Sequence, residues 1–202
     1  MQIELIDYTQ TSDGNYVFLP AGSIPYSLAP YLTVALDPFE VTADAEKKIS
    51  FTVVAPPNGE GSYWVAIAFT TQQARQEKVK GIRVTQQVRV LGAIYVTVKG
   101  TERPDAALEA AKVEGDKLTA FLANKGNTYL RFQPTIILKN AQGNTIYQSK
   151  KDPILLLRDA RIKLSYSLPE DKLKEAVLVA LELKPIPPIM LPSSLYIEAE
   201  LP

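Results

Sequence analysis

The chain has 202 residues, 46% apolar and 22% charged, with 22 Lys plus Arg balancing 22 Asp plus Glu. That length suits one large domain or two of about 100 residues, and a net charge of zero offers no electrostatic pull toward nucleic acid or an acidic membrane surface. The chain contains neither His nor Cys, which excludes Ser-His-Asp triads, His general bases, thiol catalysis, disulfides and most zinc sites.

Lack of Cys leaves the compartment open. No run approaches the ~18 consecutive apolar residues of a membrane helix. Met1 to Tyr8 shows neither a basic n-region nor a long apolar h-region, so no signal peptide is expected in these residues.

Strand signals dominate the first half. Ile3, Leu5 and the Tyr16-Val17-Phe18-Leu19 run are short β-rich pieces separated by Ser12-Asp13-Gly14-Asn15, a turn sequence. Asp7 and Asp13 bring carboxylates near that turn, but their spacing does not fit a calcium loop. Tyr31 to Leu36 and Lys48 to Ala55 read as further strands. In the latter Ile49, Phe51 and Val53 share one face while Ser50 and Thr52 take the other. Pro56-Pro57-Asn58-Gly59 ends it. Gly61 to Thr71 is apolar on both faces for part of its length, as in the middle of a sandwich sheet, and makes Trp64 a core anchor.

The longest alternation predicts a single strand from Ile82 to Val98. Ile82, Val84, Val88, Val90, Ile94, Val96 and Val98 fall on one parity, with Arg83, Thr85, Gln87, Arg89, Tyr95 and Thr97 on the other. Gln86 and Gly92 interrupt the apolar parity, and Gly92 marks a candidate bulge. Residues 100–106 then read as a linker.

Beyond it the strand rhythm restarts at Leu108–Val113, Leu118–Ala123, Arg131–Lys139, Asn144–Gln148, Ile162–Leu168, Ala176–Leu183 and Leu195–Leu201. Turns rich in Gly, Asn and Asp separate several of these runs. Two stretches compete as helix: Ala-rich Pro104 to Lys112, and Pro169 to Ala176. The Pro-rich segment Lys184 to Pro192 reads as an extended loop before the last strand, packed on the domain interface, with an exposed docking patch as the alternative. The expected fold is all-β: two tandem immunoglobulin-like β-sandwich domains at 1–99 and 107–202.

Three stretches resemble the periplasmic pilus-chaperone family (PapD-like). Pro57 to Phe69 is similar to that family's Pro-x-x-x-x-Gly-x-Tyr/Trp strand. Lys99-Gly-Thr-Glu-Arg103-Pro104 resembles its junction between domains, and Leu122 to Arg131 resembles the second domain's Asn-x-Gly/Ser-Asn turn. The chain departs from the family at its start: the first domain's early strands are expected to be missing or reorganised, and no basic cleft residue has a counterpart. An open first domain of that kind is expected to self-associate.

The resemblance implies a periplasmic or extracellular chaperone that binds a secreted pilus-type subunit by β-augmentation, the 82–98 strand completing the partner's sheet. It implies Val84, Val88 and Val90 as the inserting side chains, with Lys99 as the anchor for the subunit's C-terminal carboxylate and Arg103 beside it. Read without the resemblance, the valines close the domain's own core and the cations are solvated or pair with Glu102 and Asp105. The alternative function is a structural or adhesive spacer, whose edges Lys78, Lys80, Arg83 and Arg89 would blunt. No catalytic residue, metal or cofactor is expected: no two carboxylates are placed opposite each other, and the 10 glycines form no phosphate loop.

Overall fold

The computed structural model describes residues 1–42, 44–71, 75–79 and 82–201, excluding the side chains of 75–79 and 82–86. The protein is an all-β sandwich fold built from antiparallel sheets. It divides into two compact units. The first comprises Met1–Tyr8, Phe18–Gly59 and Tyr63–Val98; the second comprises Thr9–Val17, Glu60–Ser62 and Lys99–Pro202.

The strands lying wholly or mostly in the first unit are β1 (Gln2–Gln10), β2 (Tyr16–Pro20), β3 (Leu32–Val34), β4 (Phe51–Val53), β5 (Gly61–Thr70), β6 (Arg75–Val79), β7 (Ile82–Gln86) and β8 (Arg89–Val98). Its main sheet runs β2-β1-β5-β8, with β3-β4 and β6-β7 as separate two-stranded pairs. β1 and β5 pair from Gln2↔Thr70 to Ile6↔Ala66. This register puts Ile3, Val65 and Ile67 on one face, where they bury against Leu28 and Leu32. On the other face of β5, Trp64, Ala66 and Ala68 are buried as well. The Trp64 Nε1–H donates to the Tyr8 carbonyl at 2.8 Å, which satisfies the one polar atom of a fully buried indole.

The single strand expected from Ile82 to Val98 is in fact two strands. β7 pairs with β6 as a hairpin, from Arg75↔Gln86 to Val79↔Ile82, and the chain leaves strand conformation at Gln87 and Val88. The cause is Thr71. Its N–H donates to the Val88 carbonyl at 3.0 Å, its Oγ1 accepts the Val88 N–H at 3.1 Å, and its carbonyl accepts from Gln87 Nε2 at 3.0 Å. A side-chain hydroxyl thus takes a bond that a continuous ladder would have used.

The second unit carries β9 (Ala106–Glu114), β10 (Lys117–Asn124), β11 (Leu130–Lys139), β12 (Thr145–Lys150), β13 (Ile154–Leu156), β14 (Arg161–Ser167), the one-turn helix α1 (Glu170–Leu173), β15 (Leu178–Pro185) and β16 (Leu195–Glu200). One sheet is β14-β10-β9 and the other β12-β11-β15-β16, with β13 also pairing β11. Alternate residues fill the core: Leu118, Ala120 and Leu122 of β10, Ile162 and Leu164 of β14, Phe132, Ile136 and Leu138 of β11, and Val179, Leu181 and Leu183 of β15. The helical alternative for 104–112 gives way to β9, whose pairing with β10 shifts register between Thr119 and Phe121. Ala110, at φ 51°, sits in the part of β9 left unpaired there. Of the other helical candidate, one turn forms.

β13 was not anticipated. It is three residues long and continues on β11 after Lys151 to Pro153 interrupt β12. The Pro-rich segment links the paired strands β15 and β16, with Leu191 buried and Met190 exposed.

Candidate protein-binding edge and the loop latch

Among the described residues, β8 ends the main sheet of the first unit. A terminal strand presents unpaired backbone groups along one side, and natural proteins usually guard such edges with charge, Pro or bulges. β8 reads Arg-Val-Leu-Gly-Ala-Ile-Tyr-Val-Thr-Val, with one charge in ten residues. That charge, Arg89, forms an ion pair with Glu4 of β1. Side-chain burial along the strand is graded. Ile94 and Val96 pack on the core cluster, while Val88, just before β8, and Val90 are 55% and 54% exposed. Of the three predicted inserting valines, two are therefore open to solvent rather than closing the core. Val84 lies in β7, and its side chain falls outside the described residues.

Val90 borders an apolar groove of about 480 Å³, walled also by Met1, Phe39, Val41, Ile49 and Phe69, with Lys47 at its wall. The Phe39 and Phe69 rings meet edge to face, their centroids 6.5 Å apart. Phe39 is held in place by backbone, its N–H donating to the Met1 carbonyl at 3.1 Å. Sequence reading missed this groove. Among the described residues of 37–47 no strand forms, and only the alternation of Phe39 and Val41 hinted at an apolar side.

Lys99 is exposed, immediately after β8. Arg103 pairs through Nη2 with Glu60 Oε2 at 2.6 Å, so its partner is neither Glu102 nor Asp105. The Arg103 guanidinium, mainly by this hydrogen bond, holds the Glu60 carboxyl below its ordinary range. Glu102 instead accepts the Gly100 N–H at 2.6 Å.

The three stretches singled out in the sequence interlock in the second unit. Asn127 accepts the Arg103 N–H on Oδ1 at 2.7 Å, donates from Nδ2 to the Thr101 carbonyl at 2.9 Å, and offers its own carbonyl to the Ser62 N–H at 2.9 Å. Gly61 donates to Thr101 Oγ1 at 2.9 Å. It sits at φ +70°, where a Cβ would lie 2.0 Å from the Asn127 carbonyl oxygen. Gly126 is equally confined, since a Cβ there would lie 2.2 Å from the Arg103 carbonyl oxygen. Gly and Asn at these positions thus have a mechanical reason: three loops approach within backbone contact.

No family model and no curated protein matches this chain. Its own geometry must therefore carry any functional reading, and two features stand out: an apolar strand edge with a groove beside it, and a cation-bearing loop latch. Among the described residues no cluster of acidic side chains is arranged to hold a metal ion, and no helix is long and apolar enough to cross a membrane.

Proposed function

We propose that this chain is a chaperone-like protein that binds an incomplete, exported β-protein by strand complementation at β8, in the periplasm or outside the cell. The observation that carries this reading is the edge itself. Among the described residues β8 ends its sheet, is ten residues long and bears one charge that is already paired, with Val90 exposed at its start and Val88 exposed just before it. Backbone bonds along such an edge supply affinity, and alternate side chains supply selectivity. The resemblance to pilus chaperones implies the same strand. Lys99 follows β8 directly and is the better placed anchor for a terminal carboxylate. Arg103 would have to exchange Glu60 for it, an exposed pair that gives little up. A spacer role stands as the competing function, and it predicts a blunted edge.

The test is capture from extracts of the native host, read by mass spectrometry. The wild-type chain should recover a secreted β-protein, and Val88→Glu should lose it while remaining folded, because the Val88 side chain is more than half exposed. Lys99→Ala should weaken the capture. Equal recovery by all three proteins, or recovery of nothing, would refute strand complementation and leave the spacer. Recovery of the chain's own copies alone would assign the edge to self-association.

A further inference from the structure

The groove beside β8 deepens the strand-complementation reading and rests on it. We infer that it is the selectivity pocket for the incoming strand, which brings a bulky apolar side chain flanked on the same face by an acidic residue. Three observations lead there. First, Val90 belongs both to the edge strand and to the groove wall. A strand added to β8 turns alternate side chains toward that face, so one of them falls over the groove. Second, the walls are aromatic and aliphatic: Phe39 and Phe69 edge to face, with Val41, Ile49 and Val90 around them. A recess of about 480 Å³ exceeds a single aliphatic side chain and accepts a leucine-sized group with its backbone.

Third, the groove has a charge preference. Among the described residues Lys47 is the one charged side chain on its wall. Its Nζ stands 5.8 Å from the Phe39 ring centroid, and no described carboxylate lies within ion-pair distance of it. The other charge near the edge, Arg89, has the opposite strand parity and is held by Glu4. Lys47 therefore rewards an acidic neighbour and penalises a basic one. The selecting surface is carried by the protein itself rather than by its partner.

The probe is a blocked peptide, acetyl-Thr-Leu-Thr-Glu-Thr-Val-Thr-amide, in which Leu, Glu and Val share one strand face. Two variants carry Lys for Glu and Ala for Leu. Binding to the full chain is measured by titration calorimetry, with circular dichroism confirming the fold of each protein variant. The Glu peptide should bind about threefold more tightly than the Lys peptide, as for an exposed ion pair. Lys47→Glu should reverse that order. Ala for Leu in the peptide, or Val41→Asp in the protein, should weaken binding about tenfold or more. Val41 is 42% exposed, so this substitution spares the core, and the peptide variants test the pocket without touching the fold. Binding that ignores the peptide's charge, the Leu and both protein substitutions would overturn the groove inference and leave strand complementation standing. No binding of any peptide would overturn both.

Discussion

Asp7 is fully buried in the first unit and organises the loop that follows β2. Its Oδ2 accepts the Ser23 N–H at 2.8 Å and the Ile24 N–H at 3.2 Å, and its Oδ1 accepts the Ser27 hydroxyl at 2.7 Å. Ser27 Oγ in turn accepts the Ala29 N–H at 3.1 Å, and the next residue, Leu28, donates its N–H to the Trp64 carbonyl. Asp7→Ala removes all three acceptor bonds. A bond to a charged acceptor is worth about 1.5–3 kcal/mol. Ser23 is exposed and Ile24 only half-buried, so water can rehydrate their N–H groups, whereas Ser27 is buried. A net loss of about 2–4 kcal/mol follows. Asp7→Asn keeps one oxygen for the two N–H groups but turns an amide toward Ser27 Oγ, which already accepts twice. Its cost should be about 1–2 kcal/mol. Trp64 is the only Trp and lies in the same unit, so its fluorescence during urea unfolding reads this unit alone. A shift below about 1 kcal/mol for the Ala variant, or equal shifts for Ala and Asn, would refute the reasoning.

Gly61→Ala should destabilise the second unit by about 3 kcal/mol or more, combining the left-handed backbone penalty with displacement of Asn127. Far-UV circular dichroism in urea reads this, and a neutral result would remove the latch. Burial raises the Tyr166 hydroxyl to about 12. A raised folded pKa means the stabilisation is intact below pH ~10 and is lost as pH climbs toward ~12. Tyr166→Phe should therefore make alkaline unfolding of that unit shallower, and an unchanged profile would contradict it. Arg103→Gln should let the Glu60 carboxyl return upward toward its ordinary value, which carboxyl ¹³C shifts against pH will follow. An unmoved Glu60 would show that Arg103 does not hold it.

Strand content was written in the sequence wherever one face of a strand is buried and the other wet. Leu118, Ala120 and Leu122, or Ile162 and Leu164, alternate with polar residues because a period of two is what a half-buried strand requires. Exclusions from composition are equally local, since a missing residue type removes its chemistry wherever the chain runs. The edge strand was legible in part. Its valines stood out by parity, but parity cannot distinguish a side chain that closes a core from one left open at its end.

What only the tertiary structure decided depends on residues far apart in the chain. Thr71 divides the 82–98 alternation because folding brings its hydroxyl to the Val88 N–H. The groove joins Met1, Phe39, Ile49, Phe69 and Val90 from separate stretches. Gly61 must be Gly because Asn127 arrives against it. Asp7, which read as part of a turn cluster, proved to be the buried acceptor for a loop sixteen to twenty residues away. Local periodicity records which side of an element faces the core. It holds no record of which distant backbone will stand opposite, because that is set by how the sheets close.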